Sequence, residues 1–418
     1  MPFLTLMDPN LHIKGSIDPL GFQVIWSKFG RRIINNFTTV TDDLPSFATT
    51  LLAFHFAEQL AGKESDDTAM MNYFLKFEQL AAYSRYICAL DTNNTSLPIR
   101  GILRVRENYT KKNIVIGDKP ENQILVNQKA YGLWGLYTSA LRASGFLQDS
   151  ERRLSKLGRD VYNKCYKSLL APCENGLLRL IKEGGKLSIH SKRNMDMART
   201  VGKAVNNKSK SIVDNYYLPL LLGNEDNKLQ HRLYKISTGK KITSLNHQTM
   251  QKMLATLGDE EPLKKEMQNI FEVESLLALA DRLFGHLNLQ HGLNLQDVCK
   301  DIKKKEYIFS HLANFYTPAH EEAINGLHEA KIGTALKVFK EALLQSDILK
   351  AINTVIDLNA SIMKTRNGAA WITLEDDVIN VHYPYGADEF PEKKELPYIW
   401  TNSYFISAFL NNLNQLEN

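Results

Sequence analysis

The chain has 418 residues, 44% of them apolar and 23% charged, with a formal net charge of +5. These proportions are those of a folded globular protein and exclude a disordered or collagen-like chain. The length exceeds what a single hydrophobic core serves, so two or three domains are expected.

Apolar stretches such as Leu51 to Phe56 and Leu218 to Leu222 are far shorter than the roughly 20 residues that a membrane helix needs, so no membrane span is expected. The first residues, MPFLTLMDPNLHIKG, carry no basic region ahead of an apolar run and no small-residue cleavage site, and a cytoplasmic location is expected. Cys88, Cys165, Cys173 and Cys299 form no CxxC pair and no zinc-like spacing, so they are read as small buried hydrophobes in a reducing compartment.

In chain order, Asp42, Asp43 and Ser46 supply capping side chains ahead of a helix over 47–60, in which His55 is expected to be a hydrogen-bonded core residue. Asp66 and Asp67 precede a second helix over 70–90, and the TNNTS cluster with Pro98 marks a loop before a short helix over 99–109 that places Arg100 and Arg104 on one face. Apolar residues three and four apart predict core-facing helices over 271–287 and 348–362. Near the end, strands over 371–374 and 378–383 flank a Glu375-Asp376-Asp377 turn and predict a hairpin, followed by a final helix over 404–413.

Between these segments, ILVNQKAYGLWGLYTSALRASGFLQDSERRLSKLGRDVYNKCY starts at Ile124. It reads as a helix over 133–144 stopped by Gly145, a strand at Phe146 and Leu147, a turn over 148–151, a return strand over 152–154 and a helix over 155–166. Gly145, Phe146, Leu147, Leu154, Ser155 and Gly158 give this segment, about a tenth of the chain, an order that resembles the winged-helix superfamily. The resemblance implies an outward recognition-helix face at Tyr137, Thr138, Ser139 and Arg142, with Arg152 and Arg153 on a short wing. Leu133, Trp134, Leu136 and Tyr137 make that helix start unusually apolar for a groove-entering surface. Winged helices also serve as protein-interaction modules, so the fold does not by itself establish DNA binding.

The charge is regional. From Arg179 to Lys210 nine basic residues stand against Glu183 and Asp196, a net +7, whereas the tail from Arg366 to Asn418 carries a net −5. The basic window, with Lys192, Arg193, Arg199 and Lys203 as its leading contacts, has the composition of a phosphate-backbone footprint; Gly184, Gly185, Gly202 and Ser191 are small enough to let backbone N–H groups approach phosphates. A solvated helix face plus a loop is the competing reading.

Motifs of chemistry are missing. Gly185-Lys186 and Gly239-Lys240 lack the flanking residues of a phosphate-binding loop, and His320-Glu321 lacks the second histidine of HExxH. His311, His320 and His328 fit no single-helix metal site, and Asp214, Asp259, Glu260, Glu261 and Lys264 are the closest approach to a magnesium-type carboxylate cluster. No cofactor and no metal are expected.

The expected fold is mainly α: a helical N-terminal domain over 1–110, a winged-helix-like segment over 111–170, a basic connector region over 171–265 and a helical C-terminal domain over 266–418 with a terminal β-hairpin. The expected function is a non-catalytic nucleic-acid-binding or scaffolding subunit that works with partner protein subunits, the nucleic acid being DNA or another polymer. The stretches DPLGFQVIWSKFGRR and QKAYGLWGLYTSALRASGFL look like uncharacterised proteins of bacterial defence islands, which implies a bacterial multiprotein system for antiphage defence. A pure protein-interaction module and a divergent metal-dependent nuclease are the alternatives.

Overall fold

The computed structural model describes residues 18–62, 67–93, 97–149, 151–223, 226–242, 244–304, 318–325, 330–384 and 399–417. The fold is mainly α, with two small two-stranded antiparallel sheets among the described residues, the second of which is the C-terminal hairpin. The contacts group the chain into two units: Met1–Ile33 with Ser244–Tyr404, and Ile34–Thr243 with Phe405–Asn418. Segments 34–110, 111–170 and 171–243 lie in the second of these units.

The Ile34–Thr243 unit is built on helices Leu44–Ala61, Asp67–Asp91 and Lys192–Val205. Leu44–Ala61 is apolar on every face and buried along most of its length, as a central helix must be. It starts where its sequence says it should: the Asp43 carboxylate accepts from Ser46 N at 2.9 Å, and Pro45 occupies the first turn, where its missing N–H costs nothing. Asp67–Asp91 packs against both other helices. Close approach to Lys192–Val205 depends on Gly202, because a Cβ there would lie 2.5 Å from both the Cys88 Sγ and the Ser84 carbonyl oxygen. Gly202 is thus a packing residue and does not open the backbone to phosphates.

The middle segment forms short helices on either side of a tight turn. Helical turns Leu133–Leu136 and Thr138–Ala143 end in a paired C-cap, in which Gly145 (φ +78°) donates to the Arg142 carbonyl at 2.8 Å and Phe146 N donates to the Leu141 carbonyl at 3.1 Å. The chain then makes a single antiparallel bridge, Leu147 to Leu154, in place of two strands. Ser155 Oγ accepts from Gly158 N at 3.1 Å and starts the helix Lys156–Val161. That helix passes into a π-helical turn, Tyr162–Tyr166, and a second such turn forms at Val213–Tyr217; neither is predicted by spacing.

The other unit centres on the helix Pro262–Leu287, packed by Gln23–Ile33, His247–Leu254, Pro318–Asn325 and Ile348–Thr365. Glu274, on the buried face of the central helix, accepts from Asn402 N, Asn402 Nδ2 and the Tyr404 hydroxyl at 2.9, 3.0 and 2.7 Å, and also from Thr401 N. The hairpin pairs Ile372–Glu375 with Val378–Val381. Glu375 lies in the strand opposite Val378, and the turn is the two-residue Asp376-Asp377, with φ +50° and +60°, the left-handed pair that matches strand twist. No described helix is long and apolar enough to cross a membrane.

Candidate nucleic-acid interface

The amphipathic helix Glu174–Glu183 buries Leu177 and Ile181 and leaves Asn175 and Arg179 exposed. It stops at Gly184 (φ +74°), which with Gly185 (φ +131°) turns the chain into the short strand Gly185–Lys186, paired with Val115–Ile116. A Cβ on Gly184 would sit 2.9 Å from the Ile116 carbonyl oxygen, so this glycine meets backbone as well as supplying a left-handed φ. Ser191 then caps Lys192–Val205, its Oγ accepting from Asn194 N at 3.4 Å. Ser191 is thereby used by the fold.

Between these elements lies a cleft of about 870 Å³. Arg179, Lys186, Lys192 and Arg193 line it together with Asn175, Asn194 and Thr200, and with two carboxylates, Glu183 and Asp196. All four cations are exposed, and among the described residues none of them forms an ion pair. Arg179 and Lys186 thus join Lys192 and Arg193, the leading contacts of the basic window, in one set. The legible sign was the polar stripe of the Glu174–Glu183 helix; the turn that brings Lys186 alongside was not readable from it.

The remaining sequence-selected residues are placed differently. Lys203 is exposed on the Lys192–Val205 helix but does not line the cleft. Arg199 clamps Asp91 with two hydrogen bonds of 2.8 and 3.2 Å, which raises the arginine's pKa and lowers that of the carboxylate. Tyr137 and Thr138, expected to face outward, are 1% and 6% exposed, and the Thr138 hydroxyl donates to the Trp134 carbonyl. Ser139 is exposed. Arg142 donates from Nε to the Gln148 carbonyl at 3.2 Å and closes the turn after its own helix. The Arg152 guanidinium stacks over the Trp134 ring at 4.6 Å, and Arg153 donates to the Gly62 carbonyl at 3.0 Å.

The apolar start of that helix points inward. Trp134 packs edge-on to Phe74 and tilted over Phe54, with centroids 5.2 and 5.6 Å apart, and Tyr137 meets Phe47 at 4.9 Å. Burying side chains of this size contributes about 1.5–3 kcal/mol each. Of the apolar residues that look out of place on a groove-reading surface, Leu133, Trp134 and Tyr137 are core and Leu136 is half-buried.

A smaller cleft of about 240 Å³ is lined by His55, Glu58, Gln59, Arg159, Tyr162 and Asn163. Glu58 is already committed to Leu154 N and Arg159. His55 stacks on Tyr162 instead of sitting hydrogen-bonded in the core, and burial together with the nearby Arg159 lowers its pKa to about 4.

Two of the carboxylates considered for metal chemistry are tied to neighbouring groups. Asp259 is paired with Lys264 at 2.6 Å, Glu261 accepts from Gly258 N at 2.8 Å at the entry to Pro262–Leu287, and Asp214 is exposed in the other unit. His320 is buried, its Nε2 2.7 Å from the Glu272 carbonyl oxygen, while His311 and His328 lie outside the described residues. Among the described residues no three His, Cys, Asp or Glu side chains are grouped to hold a metal ion. No protein-family model, no curated protein and no solved structure matches the chain.

Proposed function

We propose that this protein is a nucleic-acid-binding subunit without chemistry of its own, and that the cleft between Glu174–Glu183 and Lys192–Val205 receives the phosphate backbone. One observation supports this above the others: Arg179, Lys186, Lys192 and Arg193 converge on the cleft with their charges unpaired. An unpaired cation releases condensed counterions when it meets a phosphate, whereas one already clamped by a carboxylate, such as Arg199, gains far less. The arginines of the Leu147–Leu154 turn are used internally and are assigned no contact.

The test is fluorescence anisotropy with labelled nucleic acid across a salt series, comparing the wild type with Lys192→Glu/Arg193→Glu. Loss of two phosphate contacts flattens the slope of log affinity against log salt by roughly 1.8 on a duplex, with weaker binding throughout. Unchanged affinity and slope would remove the cleft from the account. Both residues are exposed, so the melting temperature is expected to stay unchanged.

A protein-docking role has its own support in Leu103, Val126 and Tyr131, which are 78%, 90% and 65% exposed. The Arg104 hydrogen bond to the Gln123 carbonyl ties the helix carrying Leu103 to the segment leading to Val126. Co-purification of a partner that is lost on Leu103→Asp/Val126→Asp, with no nucleic-acid affinity, would favour that role.

A further inference from the structure

We infer that the cleft is built for the backbone of a double helix and not for a single strand, an inference that rests on the nucleic-acid reading above. Proteins that hold single strands combine a basic groove with aromatic platforms, because unpaired bases need a surface on which to stack, worth about 1–3 kcal/mol per base. Among the described residues, none that lines this cleft is aromatic. Its polar donors are Asn175, Asn194 and Thr200 beside the lysines and arginines, the side-chain types that meet phosphate and sugar oxygens. Tyr131 is largely exposed in the same unit, but it does not line the cleft.

Glu183 and Asp196 share the lining with the four cations and are exposed, as they are. A double helix presents its phosphates outward, and it meets this cleft by resting one strand's phosphates against the exposed cations without unstacking a base. Duplex DNA and duplex RNA share this backbone chemistry, and the experiment separates them.

Full-length protein is titrated into length-matched duplex DNA, duplex RNA and each constituent single strand, at low and at physiological salt. At least one duplex is expected to bind about tenfold or more tighter than its own strands, since the described lining offers a freed base no aromatic platform in exchange. Lys192→Glu/Arg193→Glu is expected to remove that advantage. Comparison of the two duplexes identifies the polymer. Equal or tighter binding of single strands that is still abolished by the double variant overturns the duplex inference and leaves the nucleic-acid reading standing. Absence of binding to all four at low salt overturns both.

Discussion

Glu78 is a carboxylate with no exposed surface to speak of, held by Leu133 N at 2.7 Å and Gln128 Nε2 at 2.9 Å. Burial raises its pKa from 4.5 to about 7, against the opposing pull of these donors and of Arg100. Glu274 in the other unit is raised to about 7 by the same cause. A carboxyl whose folded pKa exceeds its unfolded one binds its proton more tightly when folded. Its contribution is therefore fully present below the unfolded value and is lost as pH rises through the folded value, at about 1.4 kcal/mol per pH unit in between. Glu78→Gln should accordingly gain stability relative to the wild type as pH is raised from 5 to 8, read as the difference between their melting temperatures. A difference that does not change with pH would sink the assignment. Arg85 shows the reverse case of a buried charge with its partner: it donates to both Asp43 oxygens at 3.0 and 3.3 Å, each side chain only 5% exposed. Arg85→Met leaves that carboxylate buried and unpaired, with an expected loss of about 3–5 kcal/mol in chemical denaturation, partly recovered in the Asp43→Asn/Arg85→Met double variant.

At the scale of elements, what short-range chemistry specifies was legible. Asp43 and Ser155 cap the helices that follow them, and Gly145 and Asp376-Asp377 turn the chain where their conformational freedom allows it; Ser191, read from the sequence as a residue small enough to admit a phosphate, is a third such cap. Gly158 also follows from the pattern, but its reason is tertiary: a Cβ there would lie 2.4 Å from the Phe146 carbonyl oxygen. Gly158→Ala is expected to cost about 1–3 kcal/mol by overpacking and to raise the hydrogen-exchange rate of Ser155 N, which donates to that same carbonyl at 3.0 Å. An unchanged exchange rate would show that the turn does not depend on this contact. The π-helical turns were not legible, because one extra residue in a turn has no periodicity of its own. They coincide with a buried tyrosine group in which Tyr166 and Tyr217 both pack on Tyr216, and Tyr216 donates to the Phe47 carbonyl at 2.8 Å.

At the scale of the whole chain, residues distant in sequence complete one unit. The helix Ile406–Glu417 belongs with Ile34–Thr243: Asn412 donates to the Thr41 carbonyl at 2.9 Å, Gln415 accepts from Leu44 N at 3.0 Å, and Phe409 packs edge-on to Phe37. A chain ending at residue 404 should lose several kcal/mol of stability in that unit, since Phe409, Leu410 and Leu413 alone bury about 1.5–3 kcal/mol each. Limited proteolysis is the check, with cleavage expected to increase between residues 34 and 60; an unchanged digestion pattern would refute it. The sequence by itself determined the helical class, the caps, the hairpin and the basic window, because these depend on side chains within a few residues of one another. Which of the window's cations remain unpaired was decided by the tertiary structure. Asp91, far away in sequence, takes Arg199, and the Gly184-Gly185 turn carries Lys186 to the cleft shared by Arg179, Lys192 and Arg193. Charge can be counted along a chain, but its neutralisation depends on which carboxylate the fold brings within reach.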